Sequence, residues 1–192
     1  MIFYPTKETA EKFHIDLHKT FEEPQKSMNE KIQSQEQGDR LLEWGMKVLF
    51  FDHRKCIQME NFETKLTLFL VDLSVKDVPD IANKMGIYFI QLYQDDPDMI
   101  KALQNMYQQH PYVTYDKLVD RSSISTMNRC QSDFACDGYA FYNYFENNVL
   151  HTKDINYDVN FDWLVSDKEY IKNDCYFPGR RFREAVVKRF GQ

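Results

Sequence analysis

The segment from Trp44 to Val71 most constrains what this chain can fold into. Three runs follow one another there, Trp44 to Phe51, Lys55 to Glu60 and Lys65 to Val71, each rich in aliphatic, aromatic or β-branched residues. The connections are short, with "DHR" between the first two runs. Strands joined by so few residues pair antiparallel with their sequence neighbour, because a parallel partner needs a crossover of a dozen residues or more. An antiparallel sheet is therefore expected at the centre of the fold.

Helical spacing surrounds this block. Ile2 to Tyr4 is a short strand candidate stopped by Pro5, and Thr6 is placed to cap a helix through Ala10, Phe13 and Leu17. Downstream, Val78, Ile81, Ala82, Met85, Phe89 and Leu92 recur on one helical face, with Pro79 suited to a first turn. Met99, Ile100, Leu103, Met106 and Tyr107 mark a second helix, opened by "DDP" and closed by "HP". "YVTYDKL" is a fourth strand candidate. Ile124, Met127 and Phe134, then Phe141 and Phe145 beyond Gly138, continue a helical pattern. Residues 150 to 175 show little periodicity and receive no element. Phe182, Ala185, Val186 and Phe190 define a terminal amphipathic helix at about 178–190. Residues 19–40 are dominated by Glu, Gln, Lys, Ser and Asn, which predicts a loop or weak solvated helix and the chain's mobile segment. The expected fold is a single α+β domain over residues 1–192, with a small, mainly antiparallel sheet of three to five strands covered by helices.

Composition supplies the exclusions. With 15 Phe and 12 Tyr among 192 residues, the chain has material for a sizeable core. A net charge of −6 supplies no general attraction to nucleic acid or anionic lipid, so neither is an expected partner. The apolar runs Val48 to Phe51 and Leu66 to Val71 are far too short to span a bilayer. "MIFYPTKETAEKF" lacks the basic and apolar regions of a signal peptide. Cys56, Cys130, Cys136 and Cys175 have no C-x-x-C spacing and are expected to stay reduced, in a cytoplasmic protein.

Candidate sites are few. The hairpin tip carries His53, Arg54 and Lys55, which form either a solvated turn or a contact for phosphate or carboxylate. Asp120-Arg121-Ser122 opens a helix; Ser122 is placed to cap it, and Arg121 either organises the loop or clamps an anion near the helix start. His14 and His18 have i, i+4 spacing but lack the glutamate and third ligand of a zinc site. "YAFYNYF" at 139–145 reads as core packing rather than base stacking. "GRRFREAVVKRF" is the chain's basic patch, on a helix expected to dock on its own domain. No catalytic residue, metal or cofactor is identified.

Several of these residues together resemble a family. Pro5-Thr6-Lys7, Trp44, Arg54-Lys55, Asn61, Thr64, Asp120-Arg121-Ser122 and Met127-Asn128 are similar to the pattern of a bacterial family of domains of unknown function. The likeness spans about residues 1–146 and, more loosely, the terminal helix. His53 departs from it, standing where relatives carry Arg. The resemblance implies no activity. The expected role is a non-enzymatic binding or interaction domain for a protein or a small anionic ligand. The alternative is a small enzyme acting on a phosphorylated or nucleic-acid substrate, with Arg54, Lys55 and Arg121 as anion contacts.

Overall fold

A computed structural model of the chain describes residues 1–17, 24–51, 53–118, 121–136, 141–166 and 175–192, with the backbone alone at 121, 122, 134–136 and 166. Among these, five strands make one sheet in the order β4-β3-β2-β1-β5. They are β1 (Ile2–Pro5), β2 (Glu43–Phe51), β3 (Arg54–Asn61), β4 (Thr67–Leu70) and β5 (Thr114–Tyr115). The block read from the sequence is present as antiparallel β2-β3-β4, with Trp44 opposite Asn61 and Gly45 opposite Glu60. His53 sits in the hairpin turn at φ 63°.

The sheet is mixed, which corrects the expectation of a mainly antiparallel one. β1 runs parallel to both β2 and β5. The reason lies in the connections, since residues 6–42 are long enough to cross over and bring β2 back in the same direction. That crossover holds α1 (Lys7–Phe13) and α2 (Gln25–Glu36). Helix α1 is capped by Thr6, whose Oγ1 accepts from Thr9 N, and ends at His14 with φ 53°. His14 is thus a cap residue and not on a helical face, and His18 lies outside the described residues. Helix α2 stands in the polar segment and buries Ile32 and Glu36. The Glu36 carboxylate binds His110 Nδ1 at 2.7 Å and the Met1 amine, which also donates to Tyr112 O at 2.8 Å. Residues 19–23 of the segment lie outside the described residues.

Strand alternation divides the sheet into an apolar face and a mixed one. Phe3, Trp44, Met46, Val48, Ile57, Met59, Leu68 and Leu70 face the main core. Against them pack α3 (Ile81–Leu92), α4 (Pro97–Gln109) and α7 (Pro178–Phe190). A 3₁₀ turn at Val75–Asp80 precedes α3. Trp44 meets Phe89 and Phe182 edge-on, each at 5.7 Å between centroids, while Phe89 and Phe182 stack at 5.2 Å. Phe182, Val186 and Phe190 of α7 are buried.

The opposite face carries Lys47, Gln58, Glu60 and Thr67 besides apolar residues, and is covered by α5 (Arg121–Cys136). Phe141 is buried, but in a 3₁₀ turn (Phe141–Tyr144) leading into a hairpin of β6 (Phe145–Glu146) and β7 (Val149–Leu150), not in a continuing helix. Helix α6 (Thr152–Phe161) occupies a stretch that sequence periodicity left unassigned. A second hairpin, β8 (Val165–Ser166) with β9 (Cys175–Tyr176), leads into α7. Among the described residues no helix is long and apolar enough to cross a membrane.

Candidate functional site

On the mixed face, the end of β3 carries Glu60 into a cleft of about 820 Å³. The cleft has three walls, each anchored by side-chain hydrogen bonds.

The first wall comprises the loop Gly38 to Arg40 and the β3–β4 turn with Phe62, Glu63 and Lys65. Asn61 organises both. Its Oδ1 accepts from Thr64 N at 3.0 Å and Thr64 Oγ1 at 2.9 Å, and its Nδ2 donates to Leu41 O at 3.0 Å. This turn holds Lys65 in the left-handed region, φ 62°, and aims its ammonium toward the β3 carboxylate. Arg40 donates to Phe62 O at 3.0 Å and lies over the Phe62 ring. Asp39 pairs with Arg189 of α7 at 2.6 Å.

Helix α5 makes the second wall, with Ser125, Thr126, Arg129, Cys130 and Asp133 along one face. Three contacts press it onto the sheet. Met127 fills the space where Gly45 has no side chain; a Cβ there would stand 3.0 Å from Met127 Cε. Lys47 donates to Asn128 Oδ1 at 2.6 Å, and Gln131 donates to Gln58 Oε1 at 2.9 Å. Burial lowers the Lys47 pKa from its ordinary value.

The third wall is Val159 and Trp163 at the end of α6, Leu164 and Val165, then Tyr176, Pro178 and Arg181. Arg181 lies over the Tyr176 ring at 4.3 Å. Two asparagines of α6 hold this wall to the sheet edge. Asn160 Oδ1 accepts from Thr67 N at 2.9 Å and its Nδ2 donates to Thr67 O at 2.6 Å. Asn156 Oδ1 accepts from Phe69 N at 2.7 Å.

Burial grades the charges from floor to rim. Glu60 is 0% exposed and Thr67 is buried, whereas the Arg129 and Asp133 side chains are 60% and 46% exposed. Lys65 Nζ stands 3.8 Å from Glu60 Oε1, an ion pair longer than a charge-assisted hydrogen bond. Burial pushes the Cys130 thiol up to about 12, and the negative charges of Glu60 and Asp133 push the same way. The thiol is therefore protonated at neutral pH and a weak nucleophile. Among the described residues no three metal-ligating side chains converge.

Of the sequence-read anion contacts, Arg54 and Lys55 stand elsewhere. Arg54 Nε lies 3.5 Å from Asp72 Oδ1, with its guanidinium over Phe145. Lys55 lies over the Phe13 ring. Neither lines the cleft, being separated from Glu60 by most of β3, roughly 17–20 Å at the rise of an extended strand. The Arg121 backbone begins α5; its side chain and the capping by Ser122 lie outside the described residues. Other residues that carried the resemblance form the frame of the cleft: Asn61 and Thr64 shape its turn, and Met127 and Asn128 hold α5. Glu60, Lys65 and Trp163 line the cleft yet carried no sequence signal of their own. Arg181 belongs to the basic patch of the terminal helix.

The fold and cleft define a small α+β domain with a mixed-charge pocket on one sheet face. The chain belongs to the family described as domain of unknown function DUF6933, whose model matches residues 5–175. No curated protein and no solved structure matches it.

Proposed function

We propose that this domain binds a small polar ligand in the cleft over Glu60 and does not transform it. The observation that carries this reading is a fully buried carboxylate at the floor of an 820 Å³ cleft, within the usual range of small-molecule sites. The walls of that cleft interleave hydroxyl, charged and aromatic side chains, which offer a ligand both hydrogen bonds and packing. The walls are supported by Asn61, Gly45–Met127 and the two α6 asparagines, as expected for a site formed before its ligand arrives. The reading without catalysis is favoured by the protonated Cys130 thiol and by the positions of His14, His53, His110 and His151 away from the cleft.

The test is an amide NMR titration of the whole chain with a panel of common metabolites, repeated on Ser125→Trp. That substitution places an indole in the cleft from an exposed helix position. Saturable shifts centred on residues 60–67 and 125–133, lost in Ser125→Trp, are the expected result. Shifts confined to the hairpin tip around Arg54 and Lys55 would transfer the site there. Conversion of the ligand by the wild type but not by Ser125→Trp would replace binding by catalysis.

A further inference from the structure

The floor of the cleft is closed, so its walls select what enters. Both Glu60 oxygens and Lys65 Nζ are shut off from solvent. Arg40, by contrast, is exposed, and Arg181, Tyr176 and Trp163 are half-buried. All four line the cleft together with Phe62.

Two of the walls present the same device, an arginine laid over an aromatic ring. In the first, the Arg40 guanidinium lies over Phe62, 5.8 Å from the ring centroid. The arginine is held by its bond to Phe62 O at 3.0 Å, and the ring by stacking on Tyr4 at 5.3 Å. In the third, the Arg181 guanidinium lies over Tyr176 at 4.3 Å. Guanidinium and ring are both planar, and a guanidinium is more weakly hydrated than an ammonium, so covering it costs less solvation.

A flat, conjugated ligand matches such surfaces. Its π face attracts a guanidinium and packs on an aromatic ring over its whole area. A puckered sugar or a branched amino acid meets the same surfaces at scattered atoms and has no π face for the arginine. The edge of a flat ligand needs other partners. Helix α5 supplies donors and acceptors along one face: hydroxyls at Ser125 and Thr126, the Arg129 fork, and the Asp133 carboxylate 3.5 Å from Arg129 Nε. A hydrocarbon ring offers these groups no hydrogen bond, whereas a heterocycle with N–H, ring nitrogen or carbonyl pairs with both kinds.

We infer that the ligand of this cleft is a planar heteroaromatic molecule, of the nucleobase or nicotinamide kind, stacked on the arginine-covered walls with its polar edge toward α5. This rests on the binding reading above and specifies its ligand.

The experiment compares two probe sets on the full chain by calorimetric or NMR titration. One holds adenosine, cytidine and nicotinamide; the other holds D-ribose, myo-inositol and L-glutamine. At least one planar probe is expected to bind saturably and to be lost in Ser125→Trp. Its affinity should fall about tenfold in Arg40→Met and in Arg181→Met, as for loss of one stacking surface. It should hold within twofold in Arg180→Met, which removes an arginine stacked on Phe177 outside the cleft. Arg40→Met, at an exposed position, covers the case in which Arg181→Met fails to fold. Binding confined to the non-planar probes and lost in Ser125→Trp would leave the binding reading standing and overturn the heteroaromatic inference. Planar-probe binding unchanged in both Arg40→Met and Arg181→Met would also overturn it. Saturation by no probe in either set overturns both.

Discussion

Asn160 is the residue whose removal tests the architecture most sharply. β4 is an edge strand, and its outward backbone groups at Thr67 and Phe69 would be open to pairing with another chain. Helix α6 closes that edge with side-chain amides instead of a sixth strand. Asn160, 0% exposed, accepts from Thr67 N at 2.9 Å and donates to Thr67 O at 2.6 Å and Asn156 O at 2.7 Å. Asn160→Ala leaves a buried N–H and a buried C=O without these partners, each worth about 1–3 kcal/mol. The expected loss is therefore about 3–5 kcal/mol, a large share of the roughly 5–15 kcal/mol that holds a domain together. Urea unfolding at pH 7 measures it, and sedimentation checks for self-association through the opened edge. Asn160→Asp refines the test. Its carboxylate still accepts from Thr67 N but faces Thr67 O, where a donor is required. Burial and that carbonyl raise the folded-state pKa above the unfolded value of about 3.9. The protonated form therefore stabilises, fully below the unfolded pKa, and its contribution is lost as pH rises through the folded pKa. Relative to wild type, Asn160→Asp should recover stability between pH 7 and pH 4. A cost under about 1 kcal/mol for Asn160→Ala, or a pH-independent deficit for Asn160→Asp, would refute the clamp.

Three further outcomes are expected. Phe182→Ala empties the space between Trp44 and Phe89 and should cost about 3–5 kcal/mol in chemical denaturation; under 2 kcal/mol would show that α7 is not integral to the core. Asp77 is held down to about 2, chiefly by hydrogen bonds from Ser74, and Asp96 is held below its usual value chiefly by Arg183. Both stabilise above the ordinary carboxylate pKa of 3.8 and lose that contribution as pH falls through their lowered folded-state values, so Asp96→Asn should flatten the acid limb of stability against pH. Gly45→Ala places a methyl 3.0 Å from Met127 Cε and 3.2 Å from Phe62 Cε1, for a cost of about 1–3 kcal/mol that Met127→Ala should partly relieve in a double-mutant cycle.

Legibility in the sequence followed the kind of signal each element carries. β2, β3 and β4 announce themselves through alternating apolar residues and short turns, and α3, α4 and α7 through apolar stripes. Helix α6 escaped because two of its inward positions are Asn156 and Asn160, which read as solvated until β4 is placed beside them. Helix α2 looked weak for the same reason, since its buried Glu36 finds a partner in His110, far along the chain. In the cleft, Glu60 looked like a polar residue at a strand end. The hairpin cations Arg54 and Lys55 drew attention because exposed charge is visible in a sequence, while burial of a charge is not. Asn61, Thr64, Met127 and Asn128 were legible as markers, and the structure places them around the cleft as supports.

The sequence alone determined the α+β class, the antiparallel β2-β3-β4 block and the docking face of α7. Each depends on periodicity or turn length within one short segment, where local geometry dictates which side chains share a face. Tertiary structure decided the parallel placement of β1, the amide-closed edge of β4 and the meeting of Glu60 and Lys65 beneath walls drawn from residues 38 to 181. Those features are pairings between distant segments, and a residue's environment there is set by partners that its own neighbours in the chain do not specify.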